Sequence, residues 1–185
     1  MTIIAALNTN RGATWMGADS AASDETMVET RTESKVMRIG PWLFGSSPSF
    51  RVSQILMWDP SLQGILPPPS QCSTYSIVCD YVPCLQEAFH EEDIGDEWEI
   101  LMGGEGFLWG IQSDYSVHQI SNWTAIGSGS GFALGSLFYT HRNQSSYHPV
   151  SNYNKILYAC QAAEFYSISV QRPFYIFSSE APHEC

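Results

Sequence analysis

The chain opens on an apolar run, Thr2-Ile3-Ile4-Ala5-Ala6-Leu7. The turn formers Asn8-Thr9-Asn10-Arg11-Gly12 follow, and then Ala13-Thr14-Trp15-Met16-Gly17-Ala18-Asp19. Two short apolar runs around a turn predict a β-hairpin. Ala5, Leu7, Trp15 and the small Gly17 suit strands covered on both faces. Residues 20–34 are polar with few apolar anchors and are expected to form a long connecting loop. Lys35-Val36-Met37-Arg38-Ile39 reads as a short strand that Gly40-Pro41 turns into Trp42-Leu43-Phe44-Gly45. Phe50, Val52, Ile55, Leu56 and Trp58 recur near helical spacing and predict a helix over 49–58. Pro60 ends it, and Pro67-Pro68-Pro69 predicts a stiff, exposed loop.

Tyr75, Val78, Val82, Leu85 and Phe89 predict a second amphipathic helix, which Pro83 should kink or start late. An acidic stretch from Glu91 to Glu97 reads as a solvated loop. Four short strands are expected next, at 98–102, 106–112, 116–120 and 123–126. The glycine-serine run 127–131 breaks the strand pattern, and helices are expected at 131–140 and 151–167. Pro173-Phe174-Tyr175-Ile176-Phe177 closes the pattern as a strand. The order is strands, two helices, strands, two helices, strand. That order predicts a single α+β domain over residues 1–185, a four-layer αββα sandwich. Helices 49–58 and 75–90 would cover one side, and 131–140 and 151–167 the other.

Composition narrows the function. The 185 residues are 44% hydrophobic and 13% aromatic, so a buried core is expected rather than a disordered chain. The net charge of -11, with only eight Lys and Arg, argues against nucleic acid or an anionic membrane as partner. With no apolar stretch of spanning length and no leader pattern, the protein is expected to be soluble and cytoplasmic. Five cysteines without a Cys-x-x-Cys pair suggest neither a zinc site nor a disulfide framework. The five histidines are scattered, so no metal and no cofactor are expected.

Familiar catalytic motifs are missing: there is no Gly-x-Ser-x-Gly elbow, no His-Glu-x-x-His and no phosphate loop. The N-terminus offers a different chemistry. A threonine hydroxyl becomes a nucleophile when a base takes its proton, and the residue's own α-amine can be that base. Its ordinary pKa of about 8 suits the task. Thr2 stands directly behind Met1, so removal of the initiator methionine would free that amine.

Three further segments carry a resemblance. The opening Thr2–Leu7, then Met16-Gly17-Ala18-Asp19-Ser20, then Lys35-Val36-Met37-Arg38-Ile39-Gly40 resembles the start of proteasome β subunits. It is similar also to the bacterial peptidase that partners an ATP-dependent unfoldase and to its phage and bacterial relatives. Ala125-Ile126-Gly127-Ser128-Gly129 with Phe132-Ala133-Leu134-Gly135 resembles the family's second signature. The resemblance implies an N-terminal-nucleophile hydrolase with Thr2 as nucleophile and Lys35 as the cation that lowers the pKa of hydroxyl and amine. It implies Asp19 as the partner orienting Lys35, and Ser128 as the group that hydrogen-bonds the α-amine. Glu164 and Ser167 have the spacing of a family Asp and Ser near the end of the last long helix, with Glu in place of Asp. An oxyanion amide is implied after strand 42–45. There the chain reads Ser46-Ser47-Pro48-Ser49: a donor position at Pro48 would lose one donor, at a cost of about 3 kcal/mol, because proline has no N–H, whereas an offset of one would leave Ser47 or Ser49 as donor.

The implied activity is a threonine-type amide hydrolase, a peptidase in a homo-oligomeric ring, with an ATP-dependent unfoldase as a partner the family suggests. Two rivals stand beside it. One is a catalytically silent relative that keeps Met1 and serves in assembly, for example among phage structural proteins in a virion. The other is a small-molecule amidase with the same nucleophile.

Overall fold

The computed structural model describes residues 2–9, 12–23, 28–30, 32–143 and 149–180. Strands β1 (Ile4–Asn8) and β2 (Thr14–Asp19) lead into the short β3 (Ala21–Ser23) and β4 (Val28–Thr30), then β5 (Val36–Ile39) and β6 (Trp42–Ser47). Helix α1 (Phe50–Trp58) follows, with Ser49 as N-cap accepting from the Arg51 amide. A helical run then comprises α2 (Thr74–Ser76), a π-helical segment Ile77–Tyr81 and α3 (Val82–Glu91). Strands β7 (Glu99–Gly104), β8 (Phe107–Gln112), β9 (Val117–Gln119) and β10 (Trp123–Ile126) precede α4 (Ser130–Arg142) and α5 (Asn152–Tyr166). Strand β11 (Phe174–Ser178) is last.

The strands form two large antiparallel sheets, one ordered β10-β1-β2-β11 and the other a meander β5-β6-β7-β8-β9. The β1–β2 hairpin is the middle of the first sheet, with Leu7 opposite Trp15 and Ala5 opposite Gly17. Side chains alternate across a strand, and here both faces are covered. Ile3, Ala5 and Leu7 pack against Leu137 of α4 and Ile156, Ala159 and Ala163 of α5. Ile4 and Ala6 point the other way, into Leu43, Leu101 and Leu108 of the second sheet. The outer face of that sheet, with Trp42, Phe44 and Trp109, packs on Val52, Leu56, Leu85 and Phe89 of α1 and α3. The layers are therefore helix, sheet, sheet, helix, with the helix pairs on the sides the sequence pattern assigned. Close packing of α5 on β2 uses a glycine: a Cβ on Gly17 would lie 2.4 Å from Ile156.

Two local expectations are corrected and one is met. The segment 20–34 is not all loop, because β3 and β4 pair antiparallel; three-residue strands are too short to show alternation. Pro83 stands in the first turn of α3, the late start that the sequence allowed, and the irregularity lies upstream in the π-helical segment. Of the three prolines, Pro68 is exposed but Pro69 is buried, against Gly104. Cys72, Cys79, Cys84 and Cys160 are free thiols, and Cys185 lies outside the described residues. No helix among the described residues is long and apolar enough to cross a membrane.

Candidate active site at the head of strand β1

The hairpin brings Asp19, at the end of β2, beside the beginning of β1. Asp19 is fully buried, and its carboxylate accepts three hydrogen bonds. Oδ1 takes the Ile3 amide at 3.0 Å and Lys35 Nζ at 2.8 Å, and Oδ2 takes the Ala21 amide at 3.1 Å. Lys35 precedes β5, so the pair ties the first sheet to the second, and its ammonium also lies 5.7 Å from the centre of the Phe50 ring. A buried ion pair is tolerable only when its remaining lone pairs are met, and the two amides meet them. One Asp19 oxygen thus holds both the Lys35 ammonium and the amide of Ile3, the residue after Thr2.

Thr2 is buried at the mouth of the strand. Its backbone N–H donates to Ser128 Oγ at 3.3 Å, and its carbonyl accepts from the Gly129 amide at 3.4 Å. The loop between β10 and α4 thus wraps the Thr2 peptide, and it does so through a glycine. Gly127 has φ +90°, and a Cβ there would stand 2.3 Å from the Thr2 carbonyl oxygen and 3.0 Å from Ser47 Oγ. From Ser128 a chain of hydroxyls continues to Ser169 Oγ at 3.0 Å and on to Ser167 Oγ at 2.8 Å. The Thr2 hydroxyl itself is buried and has no hydrogen-bond partner among the described residues. Buried polar groups are nearly always paired, so an orphan hydroxyl asks for a reason.

Thr2, Asp19, Lys35, Ser128 and Ser167 therefore converge, although they are scattered over the chain. Ser47 ends β6 with its side-chain oxygen near Gly127, and Ser49 caps α1 two residues on. Glu164 is placed differently. Its carboxylate grips Arg172, accepting Nε at 2.9 Å, Nη2 at 2.6 Å and the Arg172 amide at 3.2 Å. That hydrogen bonding holds the Glu164 carboxyl below its usual range, and this side chain makes no hydrogen bond to Ser128 or Thr2. Its contact is indirect: it clamps the 167–173 turn that carries Ser169. Ser169 is the residue missed in the sequence, where the serine after α5 was read as Ser167 alone. The Ser167-Ile168-Ser169 repeat at the helix end was the available signal. Cys160 lies buried near Asp19, and burial pushes its thiol up to about 12, so it offers no thiolate as a rival nucleophile.

Four layers with Thr2 at the head of an inner strand define the proteasome-β-like N-terminal-nucleophile hydrolase fold. Solved structures share it. BPH of Thiobacillus denitrificans, in complex with epoxomicin, has a TM-score of 0.79 at 20% identity, over 95% of this chain and 97% of that one. Eukaryotic HslV from Trypanosoma brucei gives 0.68 at 14% identity, over 95% and 98%. An Anbu (Gly-1) mutant from Hyphomicrobium sp. strain MC1 gives 0.70 at 13% identity, over 95% and 80%. At such identities the likeness is one of fold. No protein-family profile and no curated protein sequence matches the chain.

Proposed function

We propose that the protein is a threonine-type N-terminal-nucleophile amide hydrolase, a peptidase that works after Met1 is removed. The observation that carries this reading is a buried Thr2 hydroxyl with no partner among the described residues, next in the chain to the Ile3 amide that Asp19 binds together with Lys35. Once the Thr2 nitrogen is an amine, it takes the hydroxyl proton as Oγ1 attacks the amide carbonyl. The Lys35 charge favours the alkoxide and keeps the amine basic only near neutrality. Ser128, in hydrogen-bond contact with that nitrogen, steadies it, with Ser169 and Ser167 behind. The tetrahedral oxyanion meets the amide of Ser47 or Ser49, since Pro48 cannot donate. Collapse expels the amine product, protonated by the Thr2 ammonium, and leaves an ester on Thr2. Water, activated by the same amine, hydrolyses the ester and restores the hydroxyl.

Assembly into a homo-oligomeric ring belongs to the same proposal. It is supported by apolar side chains on the outer helices, among them Trp58, Phe138 and Tyr139, at 73%, 52% and 67% exposure. An ATP-dependent unfoldase would then deliver substrate. A second reading, a silent assembly protein, draws on the same site: with Met1 attached, the Thr2 nitrogen is a peptide amide and cannot act as a base. Peptide hydrolysis by the purified protein separates them. Turnover by protein lacking Met1, abolished in Thr2→Ala with the fold intact, is the expected result. Equal rates in both proteins would sink the proposal.

A further inference from the structure

The chain has only two lysines, and both are buried, Lys35 to 2% exposure and Lys155 to 6%. Lys35 meets Asp19. Lys155, one turn into α5, makes no ion pair and no side-chain hydrogen bond among the described residues. It lines a cavity of about 320 Å³ between α4, α5 and the far end of β1, within the range of small-ligand sites. Among the described residues no acidic one lines that cavity, in a chain with 19 of them, and residues 144–148 between the two helices contain none either. Burial holds the Lys155 ammonium below its ordinary pKa. Burial, and then the Lys155 charge, lowers that of His141 on the same rim. A buried cation without an anionic partner is costly, and a chain this acidic had many residues with which to neutralise it.

Two other parts of the lining suit a negative group. Ser151 caps α5 by accepting from the Asn154 amide, while the Asn152 amide, at the positive end of the helix, has no acceptor among the described residues. Trp123 forms an apolar wall, with the His141 ring tilted against it at 4.3 Å between centres. A negative group would therefore meet a cation, a helix N-terminus and a flat apolar surface together.

We propose that this cavity binds a small oxyanion, a carboxylate or phosphate group, held by the Lys155 ammonium and the first turn of α5, with any apolar part of the ligand against Trp123. The site is independent of Thr2 and lies at the opposite end of β1. The test uses the full chain with two probes, benzoate and inorganic phosphate, each against sodium chloride at equal ionic strength. At least one probe should raise the unfolding temperature saturably and bind one per chain by calorimetry. It should also slow acetylation of Lys155 by acetic anhydride several-fold without slowing that of Lys35. Phosphate alone succeeding assigns the site to phosphate, and benzoate succeeding better assigns it to an organic acid. Lys155→Met, which keeps the stem and removes the charge, should weaken that binding roughly tenfold or more, the worth of a charge-assisted contact. Should Lys155→Met not fold, protection of Lys155 in the unaltered protein decides alone. Neither probe exceeding chloride, unchanged acetylation, or unaltered binding by Lys155→Met would overturn the proposal.

Discussion

Strand β1 joins two ends of the molecule that each bury a lysine, and the two are treated in opposite ways. At the Thr2 end, Lys35 is held at 2.8 Å by a carboxylate that two backbone amides also occupy. At the Asn8 end, Lys155 faces an open cavity with no carboxylate on its walls among the described residues. Helix α5 spans the same distance, starting beside Lys155 and ending at the serines that reach Ser128. A satisfied buried charge is a fixed tool: its position is set before any ligand arrives, and its field acts on whatever stands next to it. An unsatisfied one stores a cost that a ligand can relieve. Chemistry is thus expected at the first end and recognition at the second.

Substitutions sharpen that contrast, beginning with the largest effect. Asp19→Ala should strand Lys35 and two amides in the interior and lower unfolding free energy by about 3–5 kcal/mol, read by denaturant titration. Gly127→Ala should cost about 2 kcal/mol or more, because it combines a positive φ with a Cβ 2.3 Å from the Thr2 carbonyl. It should also displace Ser128 and so depress turnover. Lys155→Met should run the other way and stabilise the ligand-free protein by about 1 kcal/mol, since it removes a charge that nothing pairs. A loss of stability there would erase the contrast between the two ends.

The smallest effect concerns acid. The folded-state pKa of Glu164 is depressed by Arg172, so the stability it lends is present above its unfolded pKa of about 4.3 and fades as pH falls through the lower folded value. Arg172 is 71% exposed, which limits the contribution to under about 1 kcal/mol. Glu164→Gln should lower neutral stability by that small amount and flatten the acid limb of the stability curve below pH 5.

The parts of this molecule that were legible in the sequence are those that repeat a pattern over enough residues. The hairpin, α1 and the two outer helices each carry four or more apolar positions in register, so their layer could be assigned. Asp19, Lys35 and Ser128 were legible through the family resemblance of the short motifs in which they stand. Glu164 was misplaced because spacing along a helix says nothing of a guanidinium eight residues on; Arg172 captures it. Ser169 escaped because a turn after a helix has no period to read. Lys155 escaped for a related reason: it stands next to Ile156 on the buried stripe, and a lysine at such an edge reads as a surface residue whose stem packs and whose head is wet. Only the tertiary arrangement, with α4, Trp123 and Leu7 closing over it, makes it an interior cation.

The central claim is that Thr2 is a nucleophile activated by its own freed amine. Intact-mass measurement of the natively expressed protein, before and after incubation with epoxomicin, the ligand held by the BPH structure, tests it most directly. The account expects a chain lacking Met1 that gains one inhibitor mass, mapped by peptide fragmentation to Thr2 and absent from Thr2→Ala. A chain that keeps Met1 and gains no mass would contradict the claim and favour the silent assembly protein. A chain that keeps Met1 and is still labelled at Thr2 would contradict the mechanism, because some other base would have to take the hydroxyl proton.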